Sequence, residues 1–282
     1  MLAKTGVTMF VVFGSPRSGT TLLKEMLCQH PDLIIPHETD FIIPMAFILD
    51  RVQDEKVGKK LIVDMICSTV AFESSLGRYL DRLGICEIVE GSQYSLSDLL
   101  GGLYAAIARK TGSIAAGDKS PNDLGFLGIL KKMNFFESNI KIIHIIRDVR
   151  DVVLSLKKTE WSPPNIEYSF PRNWANSNLN LNLFASQGKT PYLKVRYEDL
   201  ILDAPAELKR IATHLEVKFN QLMCCYSDLG KELSHLSYHQ NLGKEMLQNR
   251  RFAWKQNADT TCIEICQLQS VEALRVFGYE CS

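Results

Sequence analysis

The chain predicts an α/β fold with a mostly parallel central sheet flanked by helices, on three observations. Short apolar runs of strand length, Thr8–Phe13 and Lys141–Ile146, each lead into a helical pattern of apolar residues. The first of them does so through a glycine-bearing loop, Gly14 to Thr21. Strands also alternate with helices along the chain, the order that builds βαβ units with right-handed connections. With 282 residues, 46% of them hydrophobic and 23% charged, the chain has the composition of a globular protein. It is expected to form one domain over 1–282, with helical insertions at about 44–112 and 159–190.

The stretch from Phe10 to Leu27 reads FVVFGSPRSGTTLLKEML, with Leu22, Leu23, Met26 and Leu27 at helical spacing after the loop. In such a strand–loop–helix turn, loop N–H groups and a helix N-terminus converge on an anion. In the nucleotide loop GxxxxGK[ST], the Lys reaches the terminal phosphates and the hydroxyl holds Mg²⁺. Gly14, Gly19 and Thr21 fit that spacing, but Thr20 stands at the lysine position and Arg17 lies inside the loop. The sheet is therefore P-loop-like, the loop reads as a 5′-phosphate cradle, and an ordinary ATPase or GTPase is disfavoured.

The helix after the loop ends near His30-Pro31. An apolar, strand-like piece over 33–43 follows, interrupted by His37, Glu38 and Asp40. Residues 44–51, 56–69 and 97–110 read as helices that shape an acceptor pocket, the last capped by Ser95 or Ser97. A short strand over 114–117 leads to Asp118-Lys119, and Ser120-Pro121 fits an N-cap with Pro at the first position of a helix over 122–133. After Lys141–Ile146 comes Arg147, then Asp148 as the cap of a helix with Val149, Val152, Val153 and Leu156 on its apolar face. Ser155 lies two turns past that cap on the same side, so Arg147 and Ser155 can converge on one group. A guanidinium fork suits phosphate. Arg147 could instead pair with Asp148 or Asp151. The polar stretch 161–188 holds a loop over the site and a helix from Trp174. A strand over 192–197, an amphipathic helix over 205–215 and a last helix over 259–277, closed by Gly278, complete the order.

Basic and acidic residues balance at 32 each, without the basic excess of a nucleic-acid binder, so any anion site must be local. The eight cysteines form no CxxC and have no His partners at zinc spacing, so they read as free, mostly buried thiols of a reducing compartment. No stretch approaches the length of a membrane span. A cytoplasmic location is expected.

SPRSGTTLL resembles the 5′-phosphosulfate loop of sulfotransferases that use 3′-phosphoadenosine 5′-phosphosulfate (PAPS), a resemblance that runs from residue 8 to Tyr279. It implies that Arg17, Ser18, Gly19, Thr20 and Thr21 hold the 5′-phosphosulfate. Arg147 and Ser155 match the family's strand-end Arg and the Ser eight residues later that bind the 3′-phosphate. VRYEDL is similar to the family segment that sets a Tyr near the adenine, which implicates Tyr197; a ring packed in the core is the alternative. Trp254-Lys255 aligns with a basic GRWK-like segment that closes over the phosphates, although Ala253 replaces the basic residue before Trp. Arg250, Arg251 and Lys255 could each supply its charge, and Arg251 and Lys255 are the candidates taken forward.

HPDLIIPHETDFIIP is similar to the segment of tyrosylprotein and related bacterial sulfotransferases that carries a Glu base, and Glu38 stands there. Its apolar flanks would desolvate the carboxylate and raise its pKa. His37 competes for that role. Cytosolic small-molecule sulfotransferases use a His in a KTHLP-like stretch, which this chain lacks; Lys119 stands near that place and could neutralise charge on the transferring group. The activity implied is in-line sulfuryl transfer from PAPS to a hydroxyl of a small molecule, glycan or peptide, leaving 3′,5′-adenosine bisphosphate, with no metal. The alternatives are a P-loop small-molecule kinase and a non-enzymatic module that keeps the fold.

Overall fold

The computed structural model describes residues 7–70, 72–119, 121–225, 250–256 and 259–281. Its strands are β1 (Thr8–Phe13), β2 (Leu33–Ile34), β3 (Ala115–Lys119), β4 (Lys141–Ile146) and β5 (Tyr192–Arg196). They form a five-stranded sheet in the order β2-β3-β1-β4-β5, and every pairing is parallel.

Helices cover both faces of a parallel sheet, so its central strands read as unbroken apolar runs. Residues Phe10 to Phe13 and all of β4 are buried. Side chains leave a strand alternately to opposite faces, so β1 feeds two cores. Val11 and Phe13 join a core with α2 (Ile42–Arg51), α3 (Glu55–Cys67), α4 (Arg82–Gly91) and α5 (Leu96–Thr111). Phe10 and Val12 join Leu23, Met26 and Leu27 of α1 (Thr20–Cys28) and, from α10 (Ala204–Leu215), Leu208 and Ile211. A third cluster packs α7 (Val149–Leu156), α8 (Phe170–Gln187) and α11 (Thr260–Val276) around Trp174 and Phe277. The short helices α6 (Leu127–Lys132) and α9 (Tyr197–Leu202) follow β3 and β5. No described helix is long and apolar enough to cross a membrane.

Several elements depart from expectation. Helix α4 adds to the helices expected over 44–51, 56–69 and 97–110; it is held by Ile85 and Val89 inside and by Asp81, whose carboxylate accepts the Gly84 N–H at 2.8 Å. Strand β3 runs on to Lys119 instead of stopping at Gly117, and both charged residues it gains are buried. The predicted helix over 122–133 is a 3₁₀ segment, Pro121–Phe126, then α6; the tighter turn sends Asp123 and Leu124 both inward. The Ser120 cap lies outside the described residues. Ser95 is the cap of α5, and α8 starts at Phe170, with Pro171 in the first turn where its missing N–H costs nothing. Strand-like character after α1 is confined to Leu33–Ile34, and Tyr197 opens α9 instead of ending β5. All eight cysteines are free, but only Cys262 and Cys266 are buried.

Candidate active site

Loops that leave the carboxyl ends of parallel strands share one edge of the sheet, where such folds bind ligands. Register brings Lys119 beside Val12, His144 beside Phe13 and Arg196 beside Ile146. The loop after β1, Lys119, Arg147 and Tyr197 therefore meet at one edge.

The loop is built for close approach. Arg17 and Gly19 take left-handed φ values of 68° and 94°. A Cβ on Gly19 would lie 2.5 Å from the Tyr197 ring, and one on Gly14 would lie 2.7 Å from the Ile145 carbonyl oxygen. Ser18 N–H donates to the Ser15 carbonyl at 3.1 Å, closing the turn. Arg17 Nε donates to Ser155 Oγ at 3.1 Å, and Arg147 Nη1 donates to the Arg17 carbonyl at 3.2 Å. The Arg147 guanidinium lies 4.4 Å from the centroid of the Tyr197 ring. Arg147 does not pair with Asp148; Arg150 does, through Nε and Nη2 at 2.9 and 2.7 Å.

Two polar atoms of this cradle, Ser18 Oγ and Arg147 Nε, are buried and have no partner among the described residues. Buried donors are nearly always paired, so such atoms ask for an acceptor. Gly19 is the N-cap of helix α1 and offers no side-chain cap, leaving the first N–H groups of the helix aimed at the same place. Thr20 is buried in that turn and Thr21 half-buried. The donor set fits a phosphate.

On the β3 side, Lys119 Nζ pairs with Glu38 Oε1. The Lys119 side chain is 5% exposed and that of Glu38 36%. The expected apolar enclosure of Glu38 is not what forms: Ile35, Phe41 and Ile42 turn into the core, and an ammonium faces the carboxylate instead. His37 is exposed, and its carbonyl accepts from Ser75 Oγ at 2.7 Å.

Beneath the loop, Asn178 Nδ2 donates to Ser15 Oγ at 3.3 Å and to the Trp174 carbonyl at 2.7 Å. His144 Nε2 lies 2.7 Å from Asn178 Oδ1, and Nδ1 lies 2.8 Å from the Tyr192 hydroxyl. Burial lowers the His144 pKa to about 4, so the ring is neutral, donating to Asn178 and accepting from Tyr192. On the C-terminal side, the Trp254 backbone N–H donates to Asp151 Oδ1 at 2.8 Å, and the Arg150 guanidinium stacks 3.7 Å from the Trp254 ring. These contacts seat residues 250–256 on α7, the helix of Ser155. Arg251 there has a buried Nε with no partner among the described residues. Lys255 pairs with Glu280 at 2.6 Å on the exposed surface. Burial lifts the Asp151 carboxyl to about 6 against the pull of Arg147.

The profile of the Sulfotransferase family matches residues 10–221, three-quarters of the chain. The chain belongs to the sulfotransferase family. It is 27% identical over 207 residues to the nodulation protein NoeE of Sinorhizobium fredii, covering 73% of this chain and 44% of that one. This sulfotransferase thus spans less than half the length of that relative. Its fold is also that of the sulfotransferase domain of the Synechococcus PCC 7002 olefin synthase, with TM-score 0.66, 24% identity and coverage of 97% and 96% of the two chains. The sulfotransferase domain of the curacin biosynthetic pathway superposes with TM-score 0.63 at 20% identity, covering 98% and 99%.

Of the residues singled out in the sulfotransferase sequence, the fold gathers Arg17, Ser18, Gly19, Thr20, Arg147, Ser155 and Tyr197 in one cradle. It joins Glu38 to Lys119 as a pair. Lys255 is engaged elsewhere, with Glu280. Ser15, Asn178 and His144 were missed. The available signal was the spacing of Asn178 with Trp174, Leu181 and Ala185, which sets them on one helical face.

Proposed function

We propose that this sulfotransferase uses PAPS as sulfuryl donor and transfers the group in line to an acceptor hydroxyl, with Glu38 as general base. The observation that carries the reading is the pair of buried donors with no partner among the described residues, Ser18 Oγ and Arg147 Nε, in a cradle already closed by Arg17, Ser155 and Tyr197. Arg17, the Thr20 and Thr21 hydroxyls and the N–H groups of residues 18–21 hold the 5′ side, Arg147 and Ser155 the 3′-phosphate, and Tyr197 the base. Arg251 is the better placed of the two strap cations to add charge, since Lys255 is spent on Glu280. Bound there, PAPS would supply the sulfuryl group and leave as 3′,5′-adenosine bisphosphate.

Preorganised donors act on charge that develops as the sulfur–oxygen bond breaks, and Arg17, Lys119 and the loop N–H groups serve that end. Glu38 removes the hydroxyl proton of a small molecule, glycan or peptide acceptor. We assign the whole chain to one domain and place it in the cytoplasm, where its free thiols would persist.

The test is thermal unfolding with 3′,5′-adenosine bisphosphate, with ATP and Mg²⁺ as comparator. A ligand that binds only the folded chain raises the midpoint by mass action. Stabilisation by the bisphosphate that disappears in Arg147→Ala supports the donor assignment; stabilisation by ATP and Mg²⁺ alone overturns it in favour of a kinase. The family match does not favour that alternative.

A further inference from the structure

The Glu38–Lys119 pair is crossed by a second pair one residue along each segment. Thr39 Oγ1 donates to Asp118 Oδ1 at 2.6 Å, so residues 38 and 39 bind residues 119 and 118 in turn. Side chains alternate along a strand, so Asp118 and Lys119 leave β3 on opposite faces, and the Glu38–Thr39 segment is fixed on both. The same Asp118 oxygen accepts from the Tyr104 hydroxyl of α5 at 2.6 Å. Asp118 and Tyr104 are both fully buried. Tyr104 stacks on Phe41, ring centroids 6.3 Å apart, which ties the other end of the same segment to the same helix. Burial and the neighbouring Asp118 charge push the Tyr104 hydroxyl well above its ordinary pKa, so it stays a donor.

A buried carboxylate that collects hydroxyl donors from two separate elements costs desolvation, and an apolar residue would fill the space without that cost. The gain is geometric. Segment 35–41 is irregular backbone with no ladder of its own to set its position. We infer that Asp118, with Thr39 and Tyr104, is a positioning assembly that fixes the Glu38 carboxylate against Lys119. This rests on the assignment of Glu38 as base. The assembly touches neither donor nor acceptor and acts through Glu38 alone.

Hydroxyl deletions that spare the buried charge test it: Thr39→Val and Tyr104→Phe, with Thr39→Ser as rescue and Glu38→Gln as reference. Misplacement of a reacting group by a fraction of an ångström costs about 10-fold or more, and Thr39→Val should lower kcat by that factor while leaving the Kd for 3′,5′-adenosine bisphosphate unchanged. Tyr104→Phe should act in the same direction and less. Thr39→Ser should restore kcat. Adding Thr39→Val to Glu38→Gln should cost nothing further, because the positioned group is gone. A general structural role would instead move the bisphosphate Kd and add to the Glu38→Gln loss. Wild-type kcat in both hydroxyl deletions, with Glu38→Gln inactive, overturns the positioning role and leaves the base assignment standing. Full activity of Glu38→Gln overturns both.

Discussion

The donor cradle and the Glu38 flank lie side by side at the same sheet edge and are built in opposite ways. The cradle comes from short contiguous segments at strand ends and leaves Ser18 Oγ and Arg147 Nε unsatisfied among the described residues. In the flank, Glu38 has Lys119, and Asp118 has Thr39 and Tyr104. Unpaired buried donors keep binding energy for a ligand; paired charges keep a geometry. Anion affinity should therefore reside in one region and turnover in the other.

The sharpest separation is Glu38→Gln, expected to lower kcat by about 10²- to 10⁴-fold with the bisphosphate Kd unchanged in calorimetry. A parallel loss of bisphosphate binding would break the division between the regions.

The floor of the cradle carries the next largest effect. The His144 imidazole, fully buried, has a folded-state pKa of about 4 against an ordinary 6.5. A depressed value contributes stability that is complete above pH 6.5 and is lost as pH falls from there towards 4. The loss amounts to about 3 kcal/mol. Urea unfolding of wild type and His144→Gln at several pH values should show that this part of the acid sensitivity belongs to the wild type alone.

Arg147→Ala should weaken bisphosphate binding by about 10- to 100-fold, the scale of charged hydrogen bonds. Adenosine 5′-monophosphate, lacking the 3′ group, should lose far less, and equal losses for both would relocate Arg147 within the cradle. Smallest is Gly19→Ala, which forces a side chain into the left-handed region against the Tyr197 ring. Thermal unfolding without ligand should register a loss of about 1–2 kcal/mol.

Legibility in the sequence followed the range of the interactions. The strand–loop–helix cradle, the Asp148 cap and the Arg147–Ser155 spacing are written in neighbouring residues, and the structure keeps them all. Arg147 was open between phosphate and either Asp148 or Asp151; the structure shows Arg150 takes Asp148, because its position on the first turn lets both fork nitrogens reach the carboxylate, while the Arg147 charge still acts on Asp151. The environment of Glu38 could not be read from its flanks, since apolar neighbours in sequence bury themselves and leave the residue between them at the edge.

The sequence by itself determined the α/β class, the family and the strand–loop–helix turn after β1, because strand and helix periodicities and loop glycines act over a few residues. Only the tertiary structure decided that Glu38 meets Lys119 across 81 residues and that Asn178 supports Ser15 across 163. Such pairings are set by strand register and by how the helices stack on each face of the sheet. No local pattern encodes them.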